Sequence, residues 1–279
     1  MSIDPTISIH PSAVVEDGAS LGACVTIGPF CYVGANVTLE DGCILESHVV
    51  ISGATHVGAR THIFPFASIG HKPQDLKFKG EKSQLFIGAD CQIREGVTIN
   101  PGTEGGGLIT RLGDRCTLLA NSHVAHDCLI GDDVILSNNV MVAGHCTIGD
   151  FVVISGGVGI HQFCRIGSHA FVCGLTALTY DLIPYGLAQG NPAHVVGLNL
   201  VGLQRRGFSR DEIHALRGAC RLLFAHEGTL QKRMEDVLQQ FGNYASVHEI
   251  LVFARTKSRR SLCMSDVRES DKELLQTAV

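Results

Sequence analysis

The stretch at 121–128 reads N-S-H-V-A-H-D-C, with His123 and His126 three residues apart and Asp127 directly after the second. Such a set serves three chemistries. Two histidines can hold a zinc ion, one imidazole backed by a carboxylate can act as a general base, or the pair can be ordinary surface polarity. H-x-x-H without a matching set of carboxylates is a weak zinc signature. An imidazole titrates near neutrality and can take a proton from a hydroxyl as it attacks a thioester. Gly144, His145 and His161 follow downstream. The frame that positions these residues has to discriminate among the readings.

That frame is a strict period of six. Stepping from Ile3 through Ile9, Val15, Leu21 and onward to Ile69, every sixth residue is Ile, Leu or Val. The pattern resumes at Ile87, Ile93 and Ile99, and again from Leu112 to Leu178, for 27 steps in all. Two residues before nearly every step the side chain is small, as at Ala19, Cys43, Ala67, Cys116 and Ala170. Period six fits neither an α-helix nor a hairpin meander, and it matches the hexapeptide repeat that builds a parallel β-helix. Residues i and i−2 of a short strand share a face, so both point into the prism. Three hexads make a coil of 18 residues, and nine coils rise roughly 43 Å at about 4.8 Å each. Seven of the eleven cysteines (31, 43, 91, 116, 128, 146 and 164) fall in the small inward slot and read as core fillers, not nucleophiles.

Two segments break the period, the Lys-rich stretch at 70–84 and the Gly-rich stretch at 100–111, and both are expected to leave the prism as loops. The prism is expected over 1–190 and a helical domain over 191–279, frayed from about 264. Ser209 reads as an N-cap, with Ile213, Leu216, Cys220, Leu223 and Phe224 as one apolar stripe that Gly228 ends. Further helices are expected from Thr229 to about Phe241 and from about Ser246 to Arg255. A helical bundle there would cover the open end of the prism.

The chain has 279 residues, 18% of them charged, and a formal charge of −5. Residues 1–189 carry a balance of −8 and residues 190–279 a balance of +3, while Lys72, Lys77, Lys79 and Lys82 crowd one loop. Basic charge confined to a tail and a loop suits a local acidic partner, not a nucleic-acid surface. No apolar run suggests a membrane span, and the start M-S-I-D-P-T-I-S-I-H lacks the features of a signal peptide. A cytoplasmic protein is expected.

Counted on the repeat, His123 is at i−1 and His126 at i+2 from the axial Val124, so neither points inward. One coil on, Gly144 follows His126 and His145 follows Asp127. The side chains gather outside adjacent coils, and glycine at 144 leaves a backbone N–H open to a developing oxyanion. This favours His126 as a general base oriented by Asp127. A lone prism offers flat faces there, so a pocket is expected only where a second subunit packs alongside.

The chain resembles the acyl-carrier-protein-dependent UDP-N-acetylglucosamine O-acyltransferases of lipid A biosynthesis. The resemblance rests on I-G-P-F-C at 27–31, S-H-V-V at 47–50, Q-D-L-K at 74–77, A-H-D-C at 125–128 and A-G-H at 143–145. H-Q-F-C at 161–164, A-Q-G-N at 188–191 and L-Q-R-R-G-F-S-R at 203–210 extend it. It implies a left-handed prism and a homotrimer with its sites between neighbouring prisms; no cofactor or metal is expected. The expected substrates are UDP-N-acetylglucosamine and an acyl carrier protein bearing a 3-hydroxyacyl chain. It implies catalytic roles for His126, Asp127 and Gly144, and substrate contacts at Gln74, Asp75, Lys77, His123, His145, His161 and Gln162. Asn199, Arg205 and Arg206 match nucleotide contacts, whose guanidinium groups suit a diphosphate. Gly174 and Asn191 match the end of an acyl groove, with glycine leaving room for a long chain.

The chain departs from the pattern at Val201, where glutamate is expected, and in the spacing of N-P-G-T-E-G-G-G at 100–107. N-acylation of a 3-amino UDP-sugar by the same site is the alternative, and a zinc-dependent hexapeptide enzyme a more distant one. A sister N-acyltransferase would carry a uridine-binding domain ahead of the repeat, which here starts at Ile3.

Overall fold

The computed structural model describes residues 6–265. Ile3 and the tail from 266 lie outside it, so most of the segment expected to fray is not described. Every repeat aliphatic from Ile9 to Leu178 ends a strand of two to four residues. With a final hairpin the described strands form three sheets of eleven, nine and eight members, parallel throughout except for that hairpin, and these are the faces of a left-handed triangular prism. Neighbours pair across 18 residues, as in Ser8↔Thr26 and Ile9↔Ile27. From Ile27 to Leu178 the aliphatics are at most 3% exposed, and the seven inward cysteines are buried with them.

The corners explain much of the remaining sequence. At the third residue past the aliphatic the backbone repeatedly takes positive φ, as at Arg60, Asn121, Asp127, Asn139, His145, Phe163 and Leu175. For a residue bearing a Cβ this costs about 1–2 kcal/mol. The ladder offsets the cost by giving the corner N–H a fixed acceptor on the coil below, such as His145 N–H to the His126 carbonyl at 3.0 Å and Phe163 N–H to the Gly144 carbonyl at 3.1 Å. Side chains at one corner therefore stack in a column.

The interruptions do not disturb the register. The first lengthens a coil so that Ile63 pairs with Ile93, and the second so that Ile99 pairs with Val124. Strands resume at Gln84 and Ile109, slightly inside the expected loop bounds, because each returning strand pairs over four residues.

Beyond Pro184 the chain first continues as β-structure. An antiparallel hairpin, Gly186–Gln189 with His194–Leu198, extends the first face. The helical domain was expected from 191; the second strand of the hairpin lies beyond that boundary, and buried Ala188 and Val195 close the prism core. Four helices follow: α1 Leu200–Arg205, α2 Arg210–Leu223, α3 Leu230–Phe241 and α4 Ala245–Arg255. Ser209 caps α2 through a reciprocal box with Glu212. This helix stops at Leu223, well short of Gly228, because Phe224 turns to pack against both the prism and the helical core. The end of the prism is closed by the hairpin and by residues 261–265, with buried Cys263 in the core, while the helices build a second core around Leu203, Leu216 and Leu251. No described helix is long and apolar enough to cross a membrane.

Candidate active site

The outward residues of the second face form a column through Thr98, His123, Met141, Gly159 and Ala177. Beside it, the corner carries His126, Gly144 and Gln162. Together with Gln74 from the first loop they line an open groove of about 840 Å³. A flat face was expected on a single prism. Thr98, Gly159 and Ala177 are among the short side chains of its floor and Gln74 reaches it from the first loop, and on this chain alone the depression is shallow and widely open.

At its centre His126 Nδ1 lies 2.7 Å from Asp127 Oδ2. An ionised carboxylate only accepts, so Nδ1 carries the hydrogen and Nε2 presents a lone pair. The Asp127 side chain is 1% exposed and the His126 side chain 14% exposed. A buried carboxylate requires donors, and the second loop supplies them: Thr103 N–H to Oδ1 at 2.7 Å and Thr103 O–H to Oδ2 at 2.5 Å. The Asp127 corner N–H departs from the ladder and donates to Thr110 Oγ1 at 2.8 Å. Gly106 lies directly on the carboxyl group, where a Cβ would stand 2.0 Å from Asp127 Cγ. The glycines of the second loop thus let it close over Asp127.

Gly144 sits one coil beyond His126, as expected from the spacing. A Cβ at 144 would stand 2.6 Å from His126 Cε1 and 2.8 Å from Nε2. Only glycine lets the imidazole rest there. No acceptor among the described residues takes the Gly144 N–H. His145 meets the His126 ring edge-on at 5.0 Å and stacks on Phe163 at 4.5 Å. His123 Nδ1 is held by Thr98 Oγ1 at 2.7 Å. Burial pushes the His123 imidazole below its ordinary value, and nearby His126 lowers it further. Burial also lowers His145, against the pull of Asp127. Both shifts favour the neutral ring.

Among the described residues, the group of three possible ligands lying within 4.8 Å of one another is His126, Asp127 and His145, which leaves out His123 of the H-x-x-H pair. Asp127 already accepts from Thr103 twice and from the His126 ring, whereas His145 Nδ1 stands 3.6 Å from its carboxylate, so the hydrogen-bonded relay runs through Thr103, Asp127 and His126.

The other expected site residues divide by position. Gln74, His123, His161 and Gln162 line the groove, and Asp75 is close enough to His145 to act on it electrostatically. Lys77 is exposed on the same loop. Asn191 lies in the 190–193 turn that brackets Ala177 through Ala177 N–H to Gly190 O and Ala193 N–H to Ala177 O, at the end of the groove floor. Gly174 is exposed at the opposite edge of the second face and does not line this chain's groove.

Asn199, Arg205 and Arg206 are not brought to His126. Asn199 caps α1 through Gly202 N–H and donates to the His169 carbonyl at 2.9 Å. Arg206 lies 5.0 Å over Phe151, at the corner beyond the third face. Arg205 and Val201 are exposed on α1.

Thr98, Thr103, Thr110 and Gly106 were not singled out from the sequence. Thr98 was findable: it pairs with His123 once the extra loop residues are subtracted. Nothing in the repeat marks Thr103, whose contact depends on how the loop folds back.

A groove along a hexapeptide-repeat prism, with a buried carboxylate aligning an imidazole, defines the chain as a hexapeptide-repeat transferase. The family model for bacterial transferase hexapeptide repeats matches residues 18–53 and 109–144, and the model for UDP-N-acetylglucosamine O-acyltransferase domain 2 matches 181–263. The chain is 61% identical to an acyl-[acyl-carrier-protein]–UDP-N-acetylglucosamine O-acyltransferase of Methylobacterium radiotolerans, over 92% of this chain and 94% of that one. It is 54% identical to the enzyme of that name from Azorhizobium caulinodans, over 91% and 94%. The crystal structure of UDP-N-acetylglucosamine O-acyltransferase from Moraxella catarrhalis superposes with a TM-score of 0.89 at 40% identity, covering 92% of this chain and 99% of that one. The chain belongs to the acyl-[acyl-carrier-protein]–UDP-N-acetylglucosamine O-acyltransferase family.

Two outcomes follow from the site geometry. Gly144→Ala is expected to push the His126 ring aside and lower kcat/KM by roughly 10²-fold with the melting temperature nearly unchanged, since small misplacements of a reacting group carry that cost; wild-type turnover would show that the ring does not work from this position. Burial also lowers His169, with Arg206 adding to the effect. His123, His145 and His169 therefore bind protons more weakly folded than unfolded, and stability is lost as pH falls below their ordinary value of 6.5. Thermal unfolding followed from pH 7.5 to 5 is expected to show a falling midpoint, less steeply in His169→Phe; a flat profile would contradict this.

Proposed function

We propose that this chain transfers a 3-hydroxyacyl chain from acyl carrier protein to the 3-hydroxyl of UDP-N-acetylglucosamine, the first step of lipid A biosynthesis, as a cytoplasmic homotrimer. His126 Nε2 takes the proton from the sugar hydroxyl as its oxygen attacks the thioester carbonyl. The Gly144 N–H faces the oxyanion of the tetrahedral intermediate. Collapse breaks the C–S bond, and the imidazolium returns the proton to the departing thiolate, leaving ester and free carrier thiol. Asp127 fixes the tautomer and offsets the charge that forms on the ring.

The observation that carries this reading is the contact of His126 with Gly144, with Nδ1 tied to Asp127 and Nε2 in the groove. Two features support the trimer. The groove is open along one side, and Asn199, Arg205 and Arg206 stand across the third face from His126, so a neighbouring prism has to bring a nucleotide site to it. Gly174 would likewise reach the acyl groove only across such a junction. Lys72, Lys77, Lys79 and Lys82 lie on the loop that carries Gln74, where an acidic carrier protein would approach.

The test is turnover of purified protein with 3-hydroxyacyl carrier proteins and either UDP-N-acetylglucosamine or its 3-amino analogue, with products identified by mass. The 3-hydroxy sugar is expected to be acylated, and His126→Ala to lower the rate at least about 10²-fold while remaining trimeric. Acylation of the amino sugar alone would replace the proposed acceptor, and near-wild-type activity in the variant would reject the base.

A further inference from the structure

The segment after α4 leaves the helical domain and is stitched to the last coil. Asp181 N–H bonds the Ser261 carbonyl at 2.9 Å, Cys263 N–H bonds the Asp181 carbonyl at 2.7 Å, and Cys263 is fully buried. This anchoring delivers two arginines to the catalytic corner. Arg259 places its guanidinium 4.4 Å over Phe163, the ring that stacks on His145. Arg260 donates Nε–H to the Gln162 carbonyl at 3.0 Å and a second N–H to His161 Nδ1. His161 lines the groove one coil beyond Ala143, beside Gly144.

We propose that Arg260 is a positioning residue that locks His161 in the tautomer with hydrogen on Nε2, so that His161 offers a fixed donor to an acceptor oxygen of the acyl donor. A guanidinium has donors and no acceptor. Nδ1 of His161 also lies 3.3 Å from the Gln162 carbonyl, but that oxygen already accepts the Arg260 Nε–H at 3.0 Å and the guanidinium N–H stands nearer to the ring, so Nδ1 supplies the lone pair to Arg260 and the ring hydrogen sits on Nε2. The two groove histidines then have opposite polarity: His126 presents a lone pair at Nε2 because a carboxylate accepts from its Nδ1, and His161 presents a hydrogen at Nε2 because a guanidinium donates to its Nδ1. The first suits removal of a proton; the second suits holding an oxygen roughly two coils, about 10 Å, farther along the groove. A segment nearly one hundred residues away in sequence thereby sets the polarity of the acyl-donor end of the site.

This inference rests on the acyltransfer reading only for what His161 holds; the tautomer is independent of activity. In protein labelled with ¹⁵N-histidine, with the His161 signal assigned from His161→Gln, Nδ1 is expected to resonate as an unprotonated nitrogen and Nε2 as a protonated one. Arg260→Gln is expected to give a mixture of both forms, and Arg260→Lys an intermediate result. In kinetics, Arg260→Gln is expected to lower kcat/KM for the acyl donor roughly tenfold, mainly through KM. The same substitution in a His161→Gln background is expected to add nothing further. A hydrogen on Nδ1 in the unsubstituted protein, a His161 spectrum unmoved by Arg260→Gln, or fully additive kinetic losses would overturn the proposal. If the unsubstituted protein fails to acylate while the spectra behave as stated, the proposed function is at fault and the tautomer lock stands.

Discussion

The site depends on the parallel register between coils. Because equivalent residues of successive coils are hydrogen-bonded neighbours, a corner residue has its counterpart one storey above, separated by a backbone ladder that admits little slip. His126 meets Gly144, and Asp127 meets His145, for that reason alone. The aliphatic core enforces the register: a shift of one residue along a strand would turn the axial Val124 and Val142 outward. Burial of Ile, Leu and Val in the prism therefore sets where the imidazole stands.

The loops add what the coil cannot. A regular corner would give the Asp127 N–H a backbone acceptor and leave its carboxylate exposed. The second loop replaces that acceptor with Thr110 Oγ1, then covers the carboxylate with Thr103 and Gly106. At the far end, Arg165 and fully buried Asp181 form an ion pair at 2.7 Å, and Arg165 also lies 4.3 Å over Phe253 of α4. A charge pair so deeply placed fixes one arrangement of the helical domain on the prism, because either charge left alone in that setting would be costly. The helical domain is thus held firmly enough to deliver Arg259 and Arg260 to the catalytic corner.

Much of this was legible in the sequence, and for physical reasons. The period of six places Ile27 or Leu136 in the core because an inward slot tolerates little else, and counting from Val124 puts His126 beside Gly144 without coordinates. Ser209 announces α2 through its capping chemistry. The hairpin after Pro184 was hidden because its strands pair antiparallel, outside the six-residue period. Thr103 was hidden because loop closure, not periodicity, carries it to Asp127. The distance of Asn199 and Arg206 from His126 was hidden because motifs give no information about which corner of the prism they occupy.

The central claim is that Thr103, Asp127 and His126 act as one relay that aims the imidazole across Gly144. A double-mutant cycle on turnover with Thr103→Val and Asp127→Asn tests it most directly. If the relay is a unit, the double variant is expected to lose no more than Asp127→Asn alone. Losses that multiply independently would mean that Thr103 does not act through the carboxylate, and the orientation of His126 would need another cause.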